Sequence, residues 1–166
     1  LRLQFLAKHT LVEGEPIRIR VGIHLGVITE LGERLGGKVR RVGMALNLAA
    51  RVMDLGSGGQ ILVTRAIFDD ARQYIRKHPS VEGFTDLPPV AWMVHGDYLF
   101  KGSTEPLAIF EIGAETIAPL TPPSDGRKGK RVNDGTPGQV IASLPQLPAS
   151  DEQQEATPGE ERDADE

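Results

Sequence analysis

The segment GMALNLAARVMDLGSGGQILVT, residues 43–64, joins a helical pattern to a strand pattern through a glycine-rich turn. Apolar residues recur at helical spacing as far as Leu55, and Gly56 is of the residue type that commonly ends a helix. The short apolar run after Gln60 is typical of a buried strand. A helix followed directly by a buried strand predicts a fold that packs helices on a sheet.

The flanking segments extend this α/β pattern. Apolar and polar residues alternate over residues 17–23, which predicts a half-buried strand, and the chain is expected to bend at residues 24–26. Thr64 is a candidate cap for a helix running to about Lys77, and a last strand is predicted over residues 107–112. Strand, helix, strand, helix and a closing hairpin make an α/β sandwich.

Asn47 and Arg51 are the most informative polar pair in the chain. They lie four residues apart on the predicted helix, so their side chains share one face. An amide and a guanidinium both donate hydrogen bonds, which suits a reaction that develops negative charge on a phosphate and engages a ribose oxygen. On an ordinary surface helix the same pair simply faces water, so the spacing alone does not identify a site.

Further motifs surround this pair in a fixed order. They are IRIRVGIHLG at 17–26, GGQILVTRAIFDDAR at 58–72, HGDYLFKG at 95–102 and PLAIFEIG at 106–113. With the N-x-x-x-R of the helix, this ordered set resembles the catalytic domain of the class III adenylate and guanylate cyclases. The resemblance covers residues 1–113 and implies a ferredoxin-like cyclase homology domain, with an antiparallel or mixed sheet, whose N-terminal part is missing.

The resemblance assigns roles to three residues in the formation of a 3′,5′-cyclic nucleotide and pyrophosphate from a nucleoside triphosphate. Asn47 would orient the ribose, and Arg51 would stabilise the pentavalent phosphorane as the 3′ oxygen attacks the α-phosphate. Lys101 would bind the terminal phosphates. The residue types agree, because Arg offers a rigid fork of donors and Lys a compact charge. The alternative for Lys101 is a strand-end lysine in a tight turn with Gly102.

The metal ligands of the family have no counterpart here. In the family, two aspartates lie upstream of the strand that corresponds to residues 17–26, and only sixteen residues precede Ile17. We therefore expect Mg²⁺ or Mn²⁺ to be bound by residues outside this chain, and the chain alone to be inactive. The start at Leu1, without a methionine, is interpreted as part of a larger reading frame.

Base preference rests on a single position. The family places a base-contacting residue seven positions before the helix asparagine, and Arg40 occupies that position here. Arg40 either reaches O6 or N7 of guanine or is solvated at the tip of a hairpin. We favour ATP over GTP because many members of the family are adenylate cyclases, which is an implication of the resemblance and not of any residue.

Length, residue composition and net charge exclude or disfavour several other kinds of site and partner. A length of 166 residues suits one domain, and the absence of cysteine excludes disulfides and thiolate metal sites. A net charge of −4 disfavours a nucleic acid as partner, and no apolar run approaches the ~18–20 residues of a membrane span. We expect a cytoplasmic domain, with membrane attachment of the parent protein left open. The family forms its active sites between two domains, so a homodimer is expected.

Residues 114–166 differ in character from the rest. Proline and charge dominate, which predicts a disordered linker or tail and fused regulatory modules in the parent protein. A basic cluster within it is interpreted as a solvated linker that could also touch phosphates or an acidic partner; it consists of Arg127, Lys128, Lys130 and Arg131.

Two other classes of function are open at this stage. A cyclase-like domain without catalysis would serve as a regulatory or dimerisation module, and the missing aspartates favour it. An unrelated ferredoxin-like RNA-binding module would need exposed aromatic residues and a basic face. The aromatic content of 5% and the acidic balance argue against that second class.

Overall fold

A computed structural model of the protein describes residues 1–32, 40–132 and 139–141, with only the backbone described at residue 40 and residues 139–141. The described residues form three helices and ten strands. The helices are α1 (Arg2–His9), α2 (Met44–Leu55) and α3 (Arg65–Tyr74). The strands are β1 (Leu11–Val12), β2 (Glu15–Pro16), β3 (Val21–Ile23), β4 (Thr29–Leu31), β5 (Arg40–Val42), β6 (Ile61–Thr64), β7 (Val90–Phe100), β8 (Leu107–Ala114), β9 (Gly129–Arg131) and β10 (Gln139–Ile141).

The central sheet has six strands, in the order β10-β7-β8-β6-β3, and β9 also pairs with β7. β3 and β6 run parallel, whereas β8 pairs antiparallel with both β6 and β7. β9 and β10 are antiparallel to β7 as well. The parallel pair follows from the helix that connects its two strands. The predicted α/β sandwich with a mixed sheet is therefore confirmed.

The two long helices cover opposite faces of the sheet. Side chains alternate along β6, so Ile61 and Val63 join Phe68 of α3 in one buried cluster. Leu62, between them in sequence, joins Val52 of α2 in a second cluster. All of these side chains are at most 6% exposed. Each face therefore carries its own apolar core.

Gly22 sets the distance between α2 and the sheet. A Cβ added to this residue would lie 2.7 Å from the carbonyl oxygen of Ala49, closer than atoms can approach without a shift. Because glycine lacks that atom, the backbone of α2 rests directly on β3. This contact fixes the helix that carries Asn47 and Arg51.

The ends of α3 differ from the prediction. The Thr64 side chain makes no capping hydrogen bond; its hydroxyl lies 3.1 Å from Nδ1 of His24 instead. The helix ends at Tyr74, before the predicted end near Lys77. Pro79 lacks the N–H that would bond to the carbonyl of Ile75, so a longer helix could not complete its last turn. The side chain of Tyr74, the last residue of the helix, is 77% exposed.

The chain does not leave the sheet at residue 114. The Tyr98 hydroxyl donates to the carbonyl of Pro123 over 2.9 Å, and Gln60 Nε2 donates to the carbonyl of Thr121 over 2.8 Å. The chain then adds β9 to β7 and is described as far as Val132. The domain boundary stays a prediction, but the folded part continues well past it. The remainder of the predicted tail, apart from β10, lies outside the described residues.

Candidate functional site

One face of α2 packs on the sheet, and the other faces solvent. Val52 is fully buried against the sheet, with Leu48 and Leu55 packed beside it. Asn47 and Arg51 project from the other side, as their four-residue spacing predicts. The apolar stripe thus holds the helix in place while the polar pair faces an open cleft.

The three residues predicted to act on the substrate meet in this cleft. Its volume is about 370 Å³, and it lies between α2, the end of β7 and the segment before β9. Its lining consists of Asn47, Ala50, Arg51, Asp54, Lys101, Arg127 and Lys128. Asn47 and Lys101 come from elements more than fifty residues apart, so the fold brings them together. Their chemical roles stay predictions.

Arg51 bridges α2 and the end of β7. Its guanidinium donates a hydrogen bond to the backbone carbonyl of Lys101. Gly102 follows with a φ of +79°, a conformation natural for glycine, and a Cβ there would lie 3.5 Å from Arg51 Nη1. The lysine-glycine turn therefore leaves room for the guanidinium and gives it a fixed acceptor. One edge of the Arg51 fork is used in this way, and the other donors remain for a ligand.

The sequence analysis did not assign three charged residues of the cleft to the site: Asp54, and Arg127 and Lys128 of the basic cluster. The backbone N–H of Lys101 donates to the carbonyl of Lys128 over 2.9 Å, which ties the two segments together. The Lys128 ammonium in turn pairs with the Asp54 carboxylate on α2. The sequence signal was the basic cluster itself, and only the pairing of β9 with β7 reveals which of its members face the cleft.

Asp54 is the carboxylate of the cleft. The hydrogen bond from Lys128 lowers the pKa of Asp54; the charges of Lys128 and Arg20 act in the same sense, and partial burial opposes them. Arg20 Nη2 lies 3.5 Å from Asp54 Oδ1. Because both carboxylate oxygens already face cations, Asp54 is not placed as a metal ligand.

The described residues do not fit a divalent metal. Within residues 1–32 and 40–132 no group of three or more His, Asp or Glu side chains is placed to hold an ion. Magnesium prefers several oxygen ligands, whereas the cleft offers one carboxylate that is already paired.

Arg40, the predicted base contact, is the first residue of β5 and pairs with Leu31 of β4. Its side chain lies outside the described residues, so its role stays a prediction. The neighbouring Arg41 forms an ion pair with Glu30, with Nε 2.8 Å from Oε1.

His24 lies at the end of β3 and does not line the cleft of Asn47, Arg51 and Lys101. Its Nδ1 is 3.1 Å from the Thr64 hydroxyl, and burial lowers the pKa of its imidazole. The contact between the imidazole and the hydroxyl links the ends of β3 and β6.

An exposed apolar surface lies beside the cleft, at the start of α2. Val27 is 88% exposed, which is unusual for a valine within a run of apolar residues. We call this region the β4–α2 apolar surface; its members are Ile23, Leu25, Val27, Ile28, Leu31, Met44 and Leu46. Where exposed apolar side chains form one contiguous patch, the patch commonly marks a contact with another protein.

Comparison with known proteins identifies one relevant relative. Over 98 residues the chain is 26% identical to a receptor-type adenylate cyclase of Trypanosoma equiperdum, a match covering 59% of this chain and 19% of that protein. The chain thus spans about a fifth of the relative's length. This similarity confirms the resemblance to the catalytic domains of nucleotidyl cyclases. No protein-family model matches the chain.

Two solved structures are similar to parts of this chain. An adenylate cyclase from Trypanosoma brucei, analysed in its monomeric state, is 22% identical with a TM-score of 0.45, over 63% of this chain and 39% of that one. The adenylyl cyclase CyaB from P. aeruginosa is 19% identical with a TM-score of 0.44, over 76% of this chain and 52% of that one.

Of the helices that the structure describes, none has the length and apolar character needed to span a bilayer.

Proposed function

We propose that the chain is part of the catalytic domain of a nucleotidyl cyclase, which converts a nucleoside triphosphate to a 3′,5′-cyclic nucleotide and pyrophosphate. The observation that carries this proposal is the meeting of Asn47, Arg51 and Lys101 on one cleft. The similarity to a receptor-type adenylate cyclase supports it independently.

The residues of the cleft suit an in-line displacement. The 3′ hydroxyl releases its proton to solvent, and its oxygen bonds to the α-phosphorus. The bond from the α-phosphorus to the oxygen that bridges the α- and β-phosphates breaks, and pyrophosphate leaves with that oxygen. Negative charge on the α-phosphoryl oxygens rises in the transition state, where Arg51 donates. Asn47, one turn earlier on α2, orients the ribose. Lys101, at the end of β7, binds the terminal phosphates.

The metal ions used by this class of enzyme are not assigned to the described residues, which do not fit them. We propose that Mg²⁺ or Mn²⁺ is bound by carboxylates outside this chain. No step of the chemistry proposed here depends on a metal ligand from the cleft itself.

The proposed enzyme acts as a homodimer. The β4–α2 apolar surface supports this, because several large apolar side chains lie exposed next to the cleft. A second protomer docked there would cover them and bring its own carboxylates towards Asn47 and Arg51.

ATP is the proposed substrate, since the relative of known class is an adenylate cyclase. The setting is the cytoplasmic side of a signalling protein.

The direct test is formation of cyclic AMP and cyclic GMP by the full-length protein with Mg²⁺ or Mn²⁺. We expect product from ATP, and a loss of ~100-fold or more in Arg51→Ala, the size typical of a transition-state donor. Arg76→Ala is the matched control, because Arg76 is exposed beyond the end of α3. Background product from both nucleotides would reject the proposal in favour of a non-catalytic regulatory or dimerisation domain.

A further inference from the structure

The cleft contains two cations that the assigned roles do not use, Arg127 and Lys128. Both come from the segment that follows β8, long after the motifs of the cyclase resemblance have ended. They lie in the same cleft as Lys101, to which the proposed function assigns the terminal phosphates. Their position therefore raises the question of what anion they would bind.

The turn that carries them is built firmly onto the end of β7. We call residues 125–129 the basic turn. The Gly126 N–H donates to the Gly129 carbonyl over 2.9 Å, and Asp125 Oδ1 accepts from the N–H of Arg131 over 2.9 Å. Gly129 is buried, and a Cβ there would lie 2.9 Å from the Phe100 ring. Together with the bond from the Lys101 N–H to the Lys128 carbonyl, these contacts lock the turn beside Lys101.

The charge balance of the cleft favours an anion. In the described part of the lining, the cations are Arg51, Lys101, Arg127 and Lys128, and they face a single carboxylate, that of Asp54, although the whole chain has a net charge of −4. Lys128 neutralises this carboxylate. Among the described residues, Arg127 has no carboxylate partner, and its side chain is exposed. A concave site with several unpaired cationic donors is the arrangement that binds polyphosphate.

We propose that the basic turn forms the second half of the polyphosphate site. Arg127 binds the terminal phosphate of the triphosphate opposite Lys101, and Lys128 screens Asp54 so that its charge does not repel the phosphates. The identity of the ligand as a nucleoside triphosphate rests on the proposed function. The affinity of the cleft for a polyphosphate does not rest on the proposed function, because it depends only on the charges of the cleft residues.

The test is isothermal titration of this chain with inorganic tripolyphosphate at low salt. Arg127→Gln/Lys128→Met keeps the aliphatic stems but removes both charges. Lys130→Met is the matched control, because Lys130 lies in β9 two residues away and does not line the cleft. Lys101→Met measures how much Lys101, to which the terminal phosphates are already assigned, contributes to tripolyphosphate binding. Circular dichroism checks that each variant is folded.

We expect the double variant to bind tripolyphosphate about tenfold or more weakly, the effect of losing one charge-assisted contact or more. The affinity of Lys130→Met for tripolyphosphate should stay within about twofold of that of the unaltered chain, because solvent and salt screen a charge that lies outside the cleft. Equal binding by the double variant and Lys130→Met, or no binding by the unaltered chain, would overturn the proposal. Because no cyclisation is measured, these outcomes are independent of a failure to form cyclic nucleotide.

Discussion

At the scale of single residues, the cleft depends on how each charge is already paired. Arg51 is held by the Lys101 carbonyl, and Asp54 is held by Lys128 and Arg20. The sequence predicted Asn47, Arg51 and Lys101 because their motifs are local. It did not predict Asp54 and Lys128 as partners, because 74 residues separate them and only the fold makes them neighbours.

Asp54→Asn tests the electrostatics of the cleft. The folded-state pKa of Asp54 is lowered, so its charge stabilises the fold above the unfolded pKa, ~4, and this contribution disappears as the pH falls through the folded pKa. We expect Asp54→Asn to lower the free energy of unfolding at pH 7 by up to ~1 kcal/mol, since the pair is partly exposed.

The difference between Asp54→Asn and the unaltered chain should vanish in acid, once the pH lies below the folded pKa of Asp54. Urea unfolding at several pH values measures it. A difference that persists undiminished at the lowest pH would show that the Asp54 charge is not its cause.

At the scale of elements, the position of α2 on the sheet depends on Gly22, whose lack of a side chain lets the helix backbone lie against β3. The sequence predicted this helix to within one residue, because Gly56 and the apolar period mark its extent clearly. The side chains that pack on the sheet are those of Leu48, Val52 and Leu55, whereas Leu46 and Ala50 are exposed. The sequence does not specify this face, because a helical pattern rich in apolar residues leaves open which side meets the sheet.

Gly22→Ala tests the contact between α2 and β3. The added methyl would meet the backbone of α2, which cannot move aside as a side chain can. We expect a loss of about 2 kcal/mol or more in the free energy of unfolding, as for other overpacked cores. Gly126→Ala is the control, because nothing lies closer than 4.0 Å to a Cβ there. Similar stabilities for the two variants would contradict the close approach.

At the scale of the whole molecule, a buried polar network ties the segment after β8 to the sheet. Glu111 is fully buried; its Oε2 lies 2.8 Å from His95 Nε2 and accepts from Gln60 Nε2 over 2.8 Å. Its Oε1 accepts from the Leu120 N–H over 3.1 Å. The sequence favoured disorder from residue 114 because proline and charge dominate there, and composition does not reveal such long-range partners.

The β4–α2 apolar surface carries the prediction about assembly. We expect Val27→Asp to weaken self-association by about tenfold or more, because a carboxylate would have to be buried in an apolar contact. Val132→Asp is the control, since Val132 is also exposed, at 48%, but lies outside this surface. Sedimentation velocity over a range of concentrations measures the effect. Equal association of the two variants would place the interface elsewhere.

The steady-state kinetics of Arg51→Lys in the full-length protein test whether Arg51 stabilises the transition state of cyclisation. This substitution keeps the positive charge but removes the guanidinium fork, which donates to the Lys101 carbonyl and, in the proposed function, also to a phosphate. We predict that kcat for cyclic AMP formation falls by ~100-fold with little change in KM, as expected for a donor that acts in the transition state. An unchanged kcat would contradict the assignment of Arg51 and the account of the cleft built on it.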